Sequence, residues 1–518
     1  MYKISDNRSL DRQSEGSPGS QARISVWSLA IMNIAAVVSL RVTAAGAEYG
    51  LTSVFFYVLA AVFLLIPVTL VSAELATAWP HRGGVFRWVG EAFGPRFAFL
   101  AIFLVWIEVT IFFPSILTFA AASLAFTGPH HAADQALSAN RFYTAGVVIA
   151  MNWLAAFVTL RGAGLFAPVI TWSGVIGTII PAALIIGLGV SYFFSGGTSY
   201  VTFSWSNLVP DMTHFSNLVL ASSILLYFSG IEVNAIHVER VRNPLRNFPI
   251  AVLIAALATV VIYVLSTLAV AMIIPQKDIN LVQSMIIAYD KLFHFFGAAW
   301  LTPVLAVMLA IGVFGTVAVW MAGPSAGMLE VGKAGFLPPS MQNTNRFGAP
   351  VKLLLIQAGI VTILAMGFVI LPSVQITYQI LNELAVTLYL VMYLLMFAAA
   401  IRLRFSQPDT PRPYRVPGGR YGLFVFASLG FTGSLVAFLL SFVPPSQFSV
   451  GNPVVYVWLL IAGTAFFVAL PFVIFALRRP EWRVEGSDFE PFTWETNQGT
   501  SQIDSDINTN TSDFKSSS

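Results

Sequence analysis

Apolar stretches of roughly 20 residues recur from Ile24 to Leu477, separated by short polar segments or segments holding glycine and proline. Such a stretch matches the ~30 Å hydrocarbon core of a bilayer at 1.5 Å rise per residue, so each predicts a membrane-spanning helix. The first half of the chain holds windows near Ile24–Ala47, Leu51–Thr77, Phe97–Phe126, Phe142–Leu160, Phe166–Phe194 and Phe215–His237. The second half holds Ile250–Ile273, Ala298–Gly323, Leu353–Leu371, Ile376–Ile401, Tyr421–Phe442 and Val454–Leu477. The pattern predicts an all-α polytopic membrane protein of twelve transmembrane helices over residues 24–477. An even number of spans puts both termini on one side. The polar tail 1–23 carries no signal-peptide core, so the first span is expected to be retained. The tail 478–518 is rich in Asp, Glu, Ser, Thr and Asn from Glu481 onward. Its few aliphatic residues cannot offset ordering entropy, which predicts a disordered, solvated tail; an acidic plug at the cytoplasmic mouth is the alternative.

Two windows break the pattern. The sixth contains Tyr227-Phe228-Ser229-Gly230-Ile231-Glu232-Val233-Asn234, a small polar pair followed by a carboxylate. Bare N–H and C=O groups find no water in lipid, so irregular backbone survives only where it is buried in protein or lines a cavity. An intramembrane carboxylate marks a functional site by default. We read a helix broken at Ser229–Gly230 that forms half of a small-solute site; the alternative is a continuous helix with Glu232 protonated or paired. The first window holds Asn33-Ile34-Ala35-Ala36-Val37-Val38-Ser39-Leu40-Arg41. A break near Ala35–Ser39 would turn free N–H groups and the positive end of a half-helix toward an anion such as a carboxylate. The break in the sixth window would offer carbonyls to an ammonium. No Gly or Pro lies between Ile24 and Thr43, so a continuous first helix remains the alternative.

Charge placement orients the chain. Of the 27 Lys and Arg residues, 23 lie in the tails and in alternate loops on their side, three (Arg141, Lys277, Lys291) lie in the opposite loops, and Arg41 lies inside the first span. The positive-inside rule then places both termini in the cytoplasm, in an inner or plasma membrane. Composition agrees: 57% hydrophobic and 10% charged residues with a mean hydropathy of +0.78 exclude a soluble globule, which carries roughly a quarter charged residues. The absence of cysteine excludes disulfides and thiol chemistry, and a net charge of +3 gives no sign of a nucleic-acid partner. There is no phosphate-cradling GxxxxGK[ST] run. His130-His131 lacks the spacing of a zinc site, and no nucleophile–base pair is visible. Asn7-Arg8-Ser9 matches a glycosylation pattern but falls on the cytoplasmic side. No enzyme, cofactor or metal is expected; a transporter driven by solute or ion gradients is.

Several stretches resemble the amino acid–polyamine–organocation (APC) superfamily, most closely its glutamate/γ-aminobutyrate antiporter-like group. Ser72-Ala73-Glu74-Leu75-Ala76-Thr77-Ala78-Trp79-Pro80, continuing His81-Arg82-Gly83-Gly84-Val85-Phe86-Arg87-Trp88, resembles the signature that closes the second helix. Ser229-Gly230-Ile231-Glu232 with Asn243-Pro244 and Pro249, Gly323-Pro324-Ser325-Ala326-Gly327-Met328 with Phe336-Leu337-Pro338, and Tyr414-Arg415-Val416-Pro417-Gly418-Gly419 follow in family order. The resemblance implies a LeuT-type bundle, two inverted repeats of five helices plus two more. It implies a secondary active amino-acid transporter that exchanges amino acids or amines by alternating access across the lipid bilayer; the alternative is a non-transporting sensor or scaffold on that fold. It puts a carboxylate site on Ala35, Ala36, Val37, Val38 and Ser39, and an amine site on Phe228, Ser229, Gly230, Ile231 and Glu232. Trp320 matches a pocket-lining aromatic, and Tyr227 and Phe228 are gating candidates that also suit plain packing. The departures are the missing glycine pair in the first helix, Thr316 where the glutamate/γ-aminobutyrate antiporters carry an acidic residue, and Thr171 where some relatives carry lysine. Buried charges usually pair. Arg41 is therefore expected beside Glu383 or Glu108, either as a lock between helices or to bind an acidic side chain, and Glu74 beside Arg82 or Arg87.

Overall fold

The computed structural model describes residues 25–79, 84–128, 131–210, 224, 227–230, 232, 241, 243–445, 450–484 and 491–494. Its regular elements are helices: α1 (Val26–Val37), α2 (Thr43–Ala47), α3 (Gly50–Ala78), α4 (Val85–Phe93), α5 (Pro95–Ala125), α6 (His131–Ser138), α7 (Arg141–Leu160) and α8 (Pro168–Phe194). They continue as α9 (Pro244–Ile273), α10 (Ser284–Phe295), α11 (Thr302–Lys333), α12 (Val351–Ile370), α13 (Val374–Ser406), α14 (Gly419–Leu440) and α15 (Pro453–Ala476). Ten helices among the described residues are long and apolar enough to cross a bilayer, and they fall on ten of the twelve apolar windows. The protein is a multi-pass membrane protein. The first window is occupied by two short pieces, α1 and α2. The sixth, Phe215–His237, lies outside the described residues except for Ile224, 227–230 and Glu232. The tail 1–23, the segment Pro80–Gly83 with Arg82, and His130 also lie outside them.

Helix starts follow local chemistry. Ser25 accepts a hydrogen bond from Ser28 N, Asn140 from Phe142 N and Tyr143 N, Ser373 from Ile376 N, and Asn452 from Val454 N. Each cap satisfies one or more of the N–H groups that a helix start leaves open. Burial then sorts the helices. The most apolar window of α5 is 89% buried and that of α13 is 72% buried, against 17% for α15. Thus α5 and α13 form the centre, packed on each other and on α11 and α14, while α15 presents its apolar surface outward, as a lipid-facing helix does. Helix α1 lies along α9. At the crossing of α8 and α11, Gly177 and Gly312 sit backbone to backbone, with no room for a Cβ on either.

Two described pieces of the C-terminal tail rest on the helical body. Arg478 Nε donates to Gly335 O at 2.9 Å and Val484 N to Lys333 O at 3.0 Å. Phe492 is buried against Phe86, and Thr493 N donates to Glu91 Oε1 at 3.1 Å. These contacts differ from the solvated tail expected from composition; aromatic residues within the acidic stretch supply the apolar surface that holds it. The rest of that tail lies outside the described residues.

Candidate functional site

Helix α1 ends where β-branched Val37 and Val38 crowd the preceding turn. Val38 (φ −70°, ψ 119°) and Ser39 (φ −133°, ψ 117°) are extended, and a single 3₁₀ turn, Leu40–Val42, leads into α2. The first span is therefore interrupted within the expected stretch. In the sixth window, Tyr227 and Phe228 form a turn and Ser229 and Gly230 are non-helical. Gly230 takes φ 97°, a conformation that a side chain strains. The interruptions are knitted together by a residue outside both. The Tyr263 hydroxyl on α9 accepts from Ser39 N at 3.2 Å and lies 2.8 Å from Val37 O and 3.2 Å from Tyr227 O, to one of which it donates. Left without a partner, a buried backbone group costs about 1–3 kcal/mol.

Glu232 closes the second interruption. Its Oε1 accepts from the Tyr389 hydroxyl, and its Oε2 accepts from the Tyr393 hydroxyl at 2.9 Å and from Gly230 N at 3.2 Å. The carboxylate is thus held by two tyrosines of α13 and caps its own break.

Between the interruptions lies a cavity of about 90 Å³. Val37, Val38, Ser39 and Arg41 wall it from the first span, and Tyr227 and Ser229 from the second. Glu108 and Phe112 come from α5, Thr316 and Trp320 from α11, and Asn382 and Tyr389 from α13. Other expected site residues sit elsewhere. Gly230 and Glu232 lie behind the wall, and Phe228 is fully buried against the rings of Tyr57 and Tyr263. Ala35 and Ala36 occupy the last turn of α1, with side chains outside the described residues, as is Ile231. Glu383 is buried within α13, where Gln379 Nε2 donates to its Oε1 at 3.1 Å.

The ion pair expected between Arg41 and Glu383 or Glu108 is not formed. Arg41 Nη1 donates to the Tyr378 hydroxyl at 2.6 Å, and both Nη atoms approach Asn382 Oδ1, at 3.4 and 3.5 Å. The guanidinium lies over the Phe112 ring, 4.3 Å from its centroid, and Nε has no acceptor among the described residues. Neutral oxygens and an aromatic face take the place of the carboxylate. Glu108 is 5% exposed and receives no hydrogen bond from any described residue. Of the two partners expected for Glu74, Arg82 lies outside the described residues and Arg87 is engaged elsewhere. Glu74 meets Arg404 Nη2 at 3.2 Å and Arg412 Nε at 3.5 Å, while Arg87 pairs with Glu91 at 2.7 Å. The last turn of α13 supplies Arg404, and the loop after it folds back onto the end of α3 and delivers Arg412, along with Val416 N at 2.8 Å.

Sequence reasoning missed Tyr263, Phe112, Asn382 and the tyrosines of α13. One signal was available for the last group: Tyr378, Asn382, Tyr389 and Tyr393 recur at spacings that keep one helix face, a polar stripe on a buried helix. Tyr263 and Phe112 carry no such mark, being one aromatic and one member of a phenylalanine pair in apolar runs.

The sequence profile of the family described as amino acid permease matches residues 24–467. The chain is 36% identical over 459 residues to an uncharacterised transporter of Legionella pneumophila, covering 88% of this chain and 97% of that protein. It is 32% identical over 432 residues to a glutamate/γ-aminobutyrate antiporter of Lactococcus lactis (82% of this chain, 84% of the relative). A probable agmatine/putrescine antiporter of Lactococcus lactis is 22% identical over 418 residues, covering 80% of this chain and 87% of the relative.

Proposed function

Since the chain belongs to the amino acid permease family, we propose that this membrane transporter exchanges amino acids or amines by alternating access, on a bundle of twelve helices arranged as two inverted repeats of five plus two, with both termini cytoplasmic. The observation that carries the reading is the pair of interrupted segments facing one cavity deep in the bundle, with Arg41 and Glu108 in its walls. Irregular backbone at membrane depth is tolerated where it lines such a space, and secondary transporters bind solute there. The antiporter relatives make glutamate and γ-aminobutyrate the first solutes to test. Thr316 lines the cavity where the family resemblance implies an acidic side chain, so the charge balance of this site is its own.

The test is counterflow in proteoliposomes preloaded with unlabelled solute, using labelled glutamate, γ-aminobutyrate, neutral and basic amino acids across a pH series. Uptake that depends on the internal solute supports exchange. Protein that neither exchanges nor accumulates any amino acid or amine removes the reading.

A further inference from the structure

The interruptions were expected to bind solute through their backbone, yet two of their N–H groups are already engaged. Ser39 N is bonded to Tyr263, and Gly230 N to Glu232 and Tyr393. What the protein leaves open in the cavity is side-chain charge. Arg41 is 4% exposed and makes no ion pair within 4 Å among the described residues. Its contacts use only part of the five donors of a guanidinium, and Nε faces no acceptor. Glu108 stands in the same cavity wall, buried and without a hydrogen-bond donor among the described residues. Buried charges are tolerated when paired. Both poles line one cavity and form no ion pair with each other, so a solute in that cavity can supply the missing partners.

We infer that Arg41 and Glu108 are the specificity-determining poles of the cavity: Arg41, braced by Tyr378 and Asn382, takes a solute carboxylate, and Glu108 takes its ammonium. The inference rests on the transporter reading above and narrows it. The site selects a small amino acid carrying both groups. It rejects diamines, because the end of a diamine facing Arg41 places a second cation beside the guanidinium. The planar donor fork of arginine suits a carboxylate, and its orientation is preset by the Phe112 ring and the Tyr378 hydroxyl.

The experiment deletes each pole on the protein and each group on the ligand. Binding of γ-aminobutyrate, butylamine (no carboxylate), butyrate (no ammonium) and putrescine is measured by titration calorimetry on purified full-length protein. Wild type is expected to prefer γ-aminobutyrate over the other three. Arg41→Gln should weaken γ-aminobutyrate by about tenfold or more, leave butylamine within about twofold, and improve putrescine; Arg41→Lys should recover part of the loss. Glu108→Gln should weaken γ-aminobutyrate to the level of butyrate and leave butyrate unchanged. Matched size-exclusion profiles and melting temperatures separate these effects from misfolding. Equal losses for all four ligands, or no loss in either variant, overturn the assignment of poles. Wild type that exchanges other amino acids but does not bind γ-aminobutyrate overturns the stated solute class and leaves the transporter reading standing. Failure of all counterflow removes that reading itself.

Discussion

Two of the buried arginines, Arg412 and Arg41, sit in opposite surroundings. Arg412, beyond the end of α13, is saturated. Its Nε lies 3.5 Å from Glu74, and its Nη atoms donate to the carbonyls of Leu403, Gln407, Pro408 and Thr410 at 2.8–3.2 Å. Burial, with Arg404 alongside, holds its pKa below the ordinary arginine value, and Glu74 opposes that shift. Arg41, beside the interruption in the first span, has a tyrosine hydroxyl, a shared amide oxygen and an aromatic face. A charge with every donor matched stabilises a fold once folded; a charge held short of a counter-ion is kept for something else. The difference separates the part of the molecule that joins helices from the part that we propose meets solute.

The largest effect is expected from breaking the saturated cluster. Glu74→Ala leaves Arg404 and Arg412 without their carboxylate and Val416 N without its acceptor, a loss of about 3–5 kcal/mol. Melting of the purified protein should drop far more than for Arg41→Gln, where no ion pair among the described residues is lost; equal drops would show that the two arginines do not differ in this way. Next comes Tyr263→Phe, which removes one oxygen and leaves the backbone of both interruptions short of a partner. We expect a loss of about 1–3 kcal/mol together with slower exchange in counterflow. A variant with wild-type melting and wild-type exchange would show that the hydroxyl does not tie the interruptions together.

The smallest effect concerns Glu48, just past α2, whose carboxyl burial pushes up to about 7 from an ordinary 4.5. The folded state then holds its proton more tightly than the unfolded chain. The resulting stabilisation is complete below about pH 4.5 and is lost as pH rises through 7. Melting of wild type relative to Glu48→Gln should fall between pH 5 and pH 8, and parallel curves would exclude the effect.

Much of this was legible in the residues because it follows from length and polarity alone. Ten of the apolar windows became long helices, since a bilayer admits little else. The interruption near Ser39 was signalled by a run of small and β-branched residues ending in a serine. Arg41 and Glu108 stood out as charges within spans, and both line the cavity. Their partners did not stand out. Arg41 was assigned a carboxylate by the general rule that buried charges pair, and it shares a cavity wall with Glu108 but bonds to neutral oxygens; Glu74 was assigned Arg82, which lies outside the described residues, or Arg87, which pairs with Glu91 instead. A local pattern cannot say which helices meet.

Hydrophobic periodicity and the placement of charge are properties of single segments, so the chain alone determined that it enters a membrane many times and where its helices are disturbed. Contacts between residues such as Ser39 and Tyr263, 224 positions apart, depend on packing among all the helices, and only the tertiary structure decided them. It is that packing which gave Ser39 N and Gly230 N their partners, buried the Glu74 cluster and left Arg41 and Glu108 in one cavity with no ion pair for either among the described residues.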